Sequence, residues 1–284
     1  MDVWKKEAER LKFDEGLSYA EIGERLFPSM DVAAAREKVR GYLRTTDRYA
    51  ETHSKGGVVR GVFGDVHAPF THPNYIRFVK DTFKRYGVKE VICTGDLVDH
   101  HAISRFQSST AAKGAKDEKA EAQYILDQIF DTFKKARFCI GNHDLIFERQ
   151  AATLGIGPEF LKSFREIYNV PKGWEIAEEF IVDNVLYKHG INCLGKDGAL
   201  NTAILERMST VIGHAHSFAG VKYSANKREI IFGMNVGCGI DIDAYAFEYG
   251  KYDKYRPILG CGIVFSPTNA IFVPMGLEYF RSAK

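Results

Sequence analysis

No apolar run in this chain approaches the ~20 residues that a bilayer-spanning helix needs, and its N-terminus carries no apolar signal segment. Cysteine is scarce and unpatterned. Cys93, Cys139, Cys193, Cys238 and Cys261 are scattered singly, with no CxxC pair, which argues against a thiolate zinc site or a disulfide framework. Cys93 and Cys139 fall inside apolar runs, where cysteine serves as a small hydrophobe. The expected setting is a reducing cytoplasm without disulfides. A strong charge imbalance is also missing. The net charge is +2, so the balance alone makes no case for nucleic acid or a membrane surface as partner. No internal repeat is evident. What is left is an ordinary globular composition, 45% hydrophobic and 27% charged over 284 residues. That length suits one large domain with a small module beside it.

The informative feature is a series of short apolar segments, each ending in a glycine and a polar residue. Val58, Val59, Val62 and Phe63, interrupted by Gly61, read as a buried strand. It runs into Gly64-Asp65-Val66-His67. Alternate residues of an extended chain point the same way, so Asp65 and His67 can reach one point. A carboxylate and an imidazole converging there suit a metal ion. Val91-Ile92-Cys93-Thr94 runs into Gly95-Asp96-Leu97-Val98-Asp99, and Phe138-Cys139-Ile140 into Gly141-Asn142-His143-Asp144. Leu186-Tyr187-Lys188 leads to His189-Gly190, and Val211-Ile212 to Gly213-His214-Ala215-His216. Open α/β sheets place their sites at this end of the strands. Any single motif could be a turn or a core histidine, but eight of the nine histidines lie in or beside the set.

DxH, GDxxD, GNHD, a lone HG and GHxH, in this order, resemble the calcineurin-like metallophosphoesterases over roughly residues 58–275. The expected fold is α/β (α+β), two packed mixed β-sheets flanked by helices, with a small all-α module in front. The resemblance implies two divalent ions. Asp65, His67, Asp96 and His216 would hold one, and Asp96, Asn142, His189 and His214 the other, with Asp96 bridging. The donors are two carboxylates, four imidazoles and one amide. That set suits manganese first, with iron, zinc or nickel as alternatives. Two such cations about 3.5–4 Å apart need a shared anion, and they lower the pKa of a bridging water to give hydroxide near neutral pH. That hydroxide would attack phosphorus in line.

The resemblance further implies that His143 protonates the leaving oxygen and that Asp99 orients its imidazole and raises its pKa. Asp144 is expected either to assist or to cap the next helix. One position departs from the pattern. Family members that act on phosphoproteins carry arginine directly after GDxxD, to clamp a phosphate dianion. Here His100 stands there, followed by His101. Without a fixed, bidentate guanidinium a diester becomes the better substrate, unless Arg105 in the following loop replaces it. His100, His101 and Arg105 are thus the candidate substrate contacts. The expected activity is a metal-dependent phosphodiesterase or nuclease acting on a nucleic acid or nucleotide. A phosphomonoesterase on the same site is the alternative, and a DNA-binding regulator with a scaffold-like core is a reading of another class.

Residues 1–45 are expected to form three helices, roughly 2–15, 19–27 and 32–44, with Gly16 ending the first and Ser18 and Glu21 as a capping box. They resemble a helix-turn-helix with Ile22, Leu26, Val39 and Leu43 as core, although the turn at residues 27–33 is longer than the usual three or four residues. Arg36, Lys38, Arg40 and Arg44 supply candidate phosphate contacts for DNA. Docking or oligomerisation is the competing use of this module, and the oligomeric state is left open. Residues 46–57 read as a linker, and 58–284 as the catalytic domain. Within the latter, helices are expected at 73–86, 117–135 (apolar face Ile125, Leu126, Ile129 and Phe133) and 199–208, and a mobile loop at 102–116. A hairpin is expected between 174–182 and 185–189. The stretch Gly237–Tyr245, with Phe247, Tyr249, Tyr252 and Tyr255 after it, could line a base or sugar pocket, although such aromatics more often pack a loop.

Overall fold

Ser18 starts a helix as its spacing to Glu21 predicts. In the computed structural model its Oγ accepts from the Glu21 N–H, and Glu21 Oε2 accepts from the Ser18 N–H at 2.7 Å. Such a cap contributes about 1 kcal/mol. The structure describes residues 3–13, 15, 17–43, 46, 58–104, 113–193, 195–241, 243–244 and 256–281. By contacts the chain divides into two compact units, Met1–Gly57 and Val58–Lys284.

The first unit holds α1 (Val3–Phe13), α2 (Tyr19–Leu26) and α3 (Val32–Leu43). Asp31 Oδ1 caps α3 by accepting from the Ala34 N–H at 3.0 Å. Ala8, Leu11, Ile22, Val39 and Leu43 are fully buried and form the core, with Leu26 at its margin. Gly23 is needed where α2 meets α3, because a Cβ there would lie 2.9 Å from the Arg36 nitrogen. Gly16, Arg44 and the expected linker residues 47–57 lie outside the described residues.

The second unit is built on two sheets. In the first, β1 (Arg60–Phe63), β2 (Glu90–Cys93), β3 (Ala136–Cys139) and β4 (Trp174–Ala177) run parallel, each in register with the next. An antiparallel pair, β10 (Gly260–Ser266) and β11 (Asn269–Pro274), extends this sheet beyond β1. The second sheet has the order β5-β6-β7-β9-β8. Its strands are β5 (Glu179–Val182), β6 (Val185–Lys188), β7 (Ser209–Ile212), β8 (Gly220–Ala225) and β9 (Ile230–Asn235). Val62, Ile92, Cys139 and Val264 of the first sheet pack with Tyr187, Val211, Phe232 and Met234 of the second in one buried layer. Helices α4 (Tyr75–Arg85), α5 (Ala115–Thr132), α6 (Ile146–Thr153), α7 (Phe164–Ile167), α8 (Gly198–Glu206) and α9 (Leu277–Arg281) complete the unit. Arg60, 5% exposed, ties the sheets together. It donates to Glu90 in the first sheet at 3.0 Å and to Asp183 in the second at 2.7 Å. Among the described residues no helix is long and apolar enough to cross a membrane.

Two expectations need correction. The segment 174–182 is not one arm of a hairpin. It breaks at Glu178, so that β4 joins the first sheet and only β5 pairs with β6. Trp174 anchors β4: it is fully buried, its Nε1–H donates to the Phe133 carbonyl at 2.7 Å, and its ring meets Phe130. The remaining hairpin turns at Asp183 and Asn184, whose φ values of 47° and 58° suit the tight turn of twisted strands. The apolar face of α5 is Ala122, Leu126, Ile129 and Phe130. Phe133 lies just past its end and packs on Phe63 and Phe83 instead.

Candidate active site

The C-terminal ends of β1, β2 and β3 in one sheet and of β6 and β7 in the other meet at one edge. Main-chain bonds stitch the loops that follow. The Asp65 N–H donates to the Gly95 carbonyl at 2.9 Å, His67 N–H to Asp96 at 3.0 Å, and Gly213 N–H to His189 at 3.1 Å. The backbone there is unusual. Among the described residues nine non-glycine positions have positive φ, and Asp65, His67, Asp96, His100 and His214 are five of them. Left-handed residues with side chains are uncommon, and their clustering is a mark of functional sites.

The glycines of the motifs now have a reason. A Cβ on Gly213 would sit 2.1 Å from Asp65 Oδ2, and one on Gly141 2.2 Å from Asp96 Oδ1. Each carboxylate lies against the bare backbone of a neighbouring loop, where a larger residue would displace it. Asp65 also accepts from the His214 N–H at 2.9 Å, so the first and last motifs are locked together.

The side chains converge in three overlapping groups: Asp65, His67 and His216; His67, Asp96 and His143; and Asp96, His189 and His214. Within each group the donor atoms lie within 4.8 Å of one another. His216 Nε2 faces Asp65 Oδ1 at 3.0 Å, and His189 Nε2 faces Asp96 Oδ2 at 3.1 Å. Asn142 Oδ1 is 2.8 Å from His189 Nε2, and His214 Nδ1 is 3.2 Å from the same nitrogen. The ring orientations are set from outside. His67 Nδ1–H donates to Asp99 Oδ1 at 2.6 Å, and His189 Nδ1–H to the Thr94 carbonyl at 2.8 Å. Both Nε2 atoms are left toward the cluster, the arrangement by which a second partner fixes a ligating imidazole.

Asp65, Asp96 and Asp99 are at most 3% exposed. Their ion-pair partners among the described residues are all histidines. Burial would lower the His189 pKa, but the charge and hydrogen bond of Asp96 outweigh it and raise it to about 9. Burial likewise opposes protonation of His143, yet its bond to Asp99 and the charges of Asp96 and Asp99 raise it to about 10. His67 and His214 are shifted down, first by burial and then by neighbouring imidazoles. Buried carboxylates that draw protons onto nearby rings are short of positive charge. Such groups are ordinarily paired or coordinate metals, and this oxygen and nitrogen set fits divalent cations of intermediate hardness.

His143 stands at the rim of the cluster. Its N–H donates to Asp96 Oδ1 at 2.7 Å and its Nδ1–H to the Asp99 carbonyl at 2.8 Å, with Asp99 Oδ1 3.3 Å away. Asp99 thus touches both His67 and His143. Asp144 does not cap a helix. It is fully buried beneath the site and accepts from the N–H groups of Asp96, Val98 and Gly141. Burial and the charge of Asp96 raise its pKa.

His100 and His101, expected at the substrate, are turned into the protein. His100 Nδ1–H donates to the His143 carbonyl and its Nε2 accepts from the Tyr168 hydroxyl. His101 is 6% exposed and packs edge-on to Phe70. The cause is local. Glu118 on α5 accepts from the N–H groups of both His101 and Ala102, which draws this turn inward. Arg105 lies outside the described residues, as do residues 245–255 of the expected aromatic pocket. Tyr168, Glu118 and the true role of Asp144 had no signal in the sequence, because each acts on residues brought close only by the fold.

Two face-packed mixed sheets with an aspartate and histidine cluster on their shared edge define a metallophosphoesterase. The sequence profile described as Calcineurin-like phosphoesterase matches residues 60–231, more than half of the chain. The chain belongs to this family and is a metal-dependent phosphoester hydrolase. Compared with curated proteins, the sequence matches none. Solved structures that resemble it include a point variant of Vps29 from Entamoeba histolytica, 12% identical, covering 77% of this chain and 99% of that one, with a TM-score of 0.35. Yfce, a phosphoesterase from E. coli, is 12% identical over 77% of this chain and 100% of its own, with a TM-score of 0.35. Nuclease MPE from Pseudomonas putida is 10% identical over 75% and 87%, with a TM-score of 0.26.

Proposed function

We propose that this enzyme hydrolyses a phosphodiester of a nucleic acid or nucleotide. Asp65, His67, Asp96 and His216 hold one divalent ion, manganese in first place. Asp96, Asn142, His189 and His214 hold a second. Bound there, such ions supply Lewis acidity at the phosphoryl oxygens and activate water at neutral pH. The chain's own residues do the rest. His143, with Nδ1 committed to Asp99, presents Nε2 to the leaving oxygen and gives it a proton. Asp99 sets that ring and the His67 ring at once. Asp144 holds the loops of Asp96 and His143 together from below. The five free cysteines are all buried, which supports a reducing cytoplasm as the setting.

The observation that carries the diester reading is the orientation of His100. Both its ring nitrogens are committed inside the protein, and burial lowers its pKa, so this position offers no fixed cation to a phosphate dianion. A diester carries one negative charge less and depends less on such a clamp. Bis-p-nitrophenyl phosphate should be turned over at least about tenfold faster than p-nitrophenyl phosphate at equal manganese, a difference of ~1.4 kcal/mol in barrier. A preference of that size for the monoester would overturn the reading.

The first unit supports a second element of this function, contact with DNA. Residues 32–34 and 36–38 at the start of α3 are exposed, the part that a groove-reading helix presents. Arg36, Lys38, Arg40 and Arg44 are the proposed phosphate contacts. Lys38 lies 4.2 Å over the Phe27 ring and Arg40 is 2.7 Å from Glu37, so each would exchange an existing partner. Removal of residues 1–57 should therefore weaken DNA binding and flatten its dependence on salt, by ~0.7–0.9 in log–log slope per lost contact. Hydrolysis of a small diester should survive. Unchanged DNA affinity with an altered oligomeric state would assign this unit to docking.

A further inference from the structure

His143 is held at three points. The Asp96 carboxylate takes its N–H and the Asp99 main-chain carbonyl its Nδ1–H, and Asp96 also belongs to two of the donor groups. The third hold is on its carbonyl, which accepts from the Ile146 N–H of the following turn at 3.1 Å and, from outside the loop, from His100. The left-handed backbone of His100, with φ at 55°, swings its ring under the GNHD loop. There its Nδ1–H donates to the His143 carbonyl at 2.8 Å. A carbonyl accepts only, so Nδ1 must carry the proton and Nε2 the lone pair. The Tyr168 hydroxyl donates to that lone pair at 2.7 Å. Tyr168 is 1% exposed, its carbonyl accepts from Gln123 on α5 at 2.9 Å, and the His100 ring is packed between it and Phe147. A chain of fixed donors thus runs from α5 through Tyr168 and His100 to the main chain of His143. The carbonyl next to Cα governs the local backbone torsion, and with it the direction in which the imidazole leaves the loop.

We propose that His100, backed by Tyr168, is a positioning residue for His143 and sets the aim of its imidazole at the leaving oxygen. Where arginine-bearing relatives of this pattern would hold substrate, this chain holds its proton donor. The proposal rests on the reading of His143 as that donor. A misplacement of about 1 Å can cost 10²-fold in rate, so a hold on the loop is enough to matter without any contact with substrate. The effect should be selective. Only a leaving group that needs a proton feels the aim of the donor.

The test is a series of diesters with p-nitrophenyl, phenyl and alkyl leaving groups, measured on the full chain and on His100→Ala, His100→Asn, Tyr168→Phe and His143→Ala. His100→Ala should lose at least about tenfold more kcat on the alkyl than on the p-nitrophenyl ester. KM and metal content should stay near those of the unmutated chain. Tyr168→Phe, which removes one oxygen atom, should move the same way by less and serves if the alanine variant fails to fold. His100→Asn should recover most of the loss, since its amide can donate to the same carbonyl and asparagine tolerates the left-handed backbone. Equal losses on every leaving group, or no recovery with asparagine, would reduce His100 to a structural staple. If His143→Ala is itself insensitive to the leaving group, the proton-donor reading falls and this proposal with it. If His143→Ala is sensitive and neither His100→Ala nor Tyr168→Phe is, only the positioning role falls.

Discussion

Asp96→Asn is expected to remove turnover, by about 10³-fold or more, and to lower the content of both metals. Asp96 is the carboxylate common to two of the three donor groups. Its Oδ2 is 3.1 Å from His189 Nε2 in one group and 3.8 Å from His67 Nε2 in the other, while Oδ1 accepts from the His143 N–H. Asparagine keeps the shape but replaces one oxygen with an NH₂ donor. That group must face either the His143 N–H, donor against donor, or the nitrogens that converge on the ions. It also removes one unit of negative charge from a site asked to bind two cations. Loss of Lewis-acid stabilisation is worth several kcal/mol, at tenfold for each ~1.4 kcal/mol. Metal analysis and turnover on the same purified variant check this. Two full equivalents together with unchanged turnover would show that Asp96 is not the shared ligand.

His143→Ala should leave metal content near normal and act on the proton transfer alone. The ring Nδ1 is committed to Asp99, so Nε2 is the end available to substrate. Burial works against its protonation, but the bond to Asp99 and the charges of Asp96 and Asp99 prevail and hold its pKa at about 10. The ring therefore carries a proton to give at neutral pH, and bound cations would bring that value down toward the working range. General-acid help is typically worth about 10²–10⁴-fold. The loss should approach that range for an alkyl leaving group and be far smaller for p-nitrophenolate, which departs without a proton. Equal losses on both would give His143 another role, with ligation the first candidate, since it falls in one donor group with His67 and Asp96.

Much of this site could be read in the sequence because two signals coincide there. Short apolar runs such as Val91–Thr94 mark strands by composition, and a glycine beside each carboxylate or imidazole marks the point where loops press together. Gly141 and Gly213 show the reason: each leaves room for a carboxylate from a motif far away in the chain. Those distant contacts are also what the sequence could not disclose. The break at Glu178 was hidden because 174–182 is a continuous strand-like run, and only the burial of Trp174 against Phe130 and Phe133 assigns its first half to another sheet. The inward turn of His100 and His101 depends on Glu118 and Tyr168, which are 17 and 68 positions away along the chain. Nor did local pattern foretell the left-handed backbone at Asp65, His67 and Asp96, because polar residues after a strand are compatible with many turns.

A two-ion site is tested most directly by the number of ions that activity requires. The protein should be stripped of metal and titrated with Mn²⁺ while hydrolysis of bis-p-nitrophenyl phosphate is followed. Activity should be negligible in the stripped protein and should rise to a plateau at two equivalents per chain. Full activity without metal, or a plateau at one equivalent, would contradict a two-ion site built on a shared Asp96.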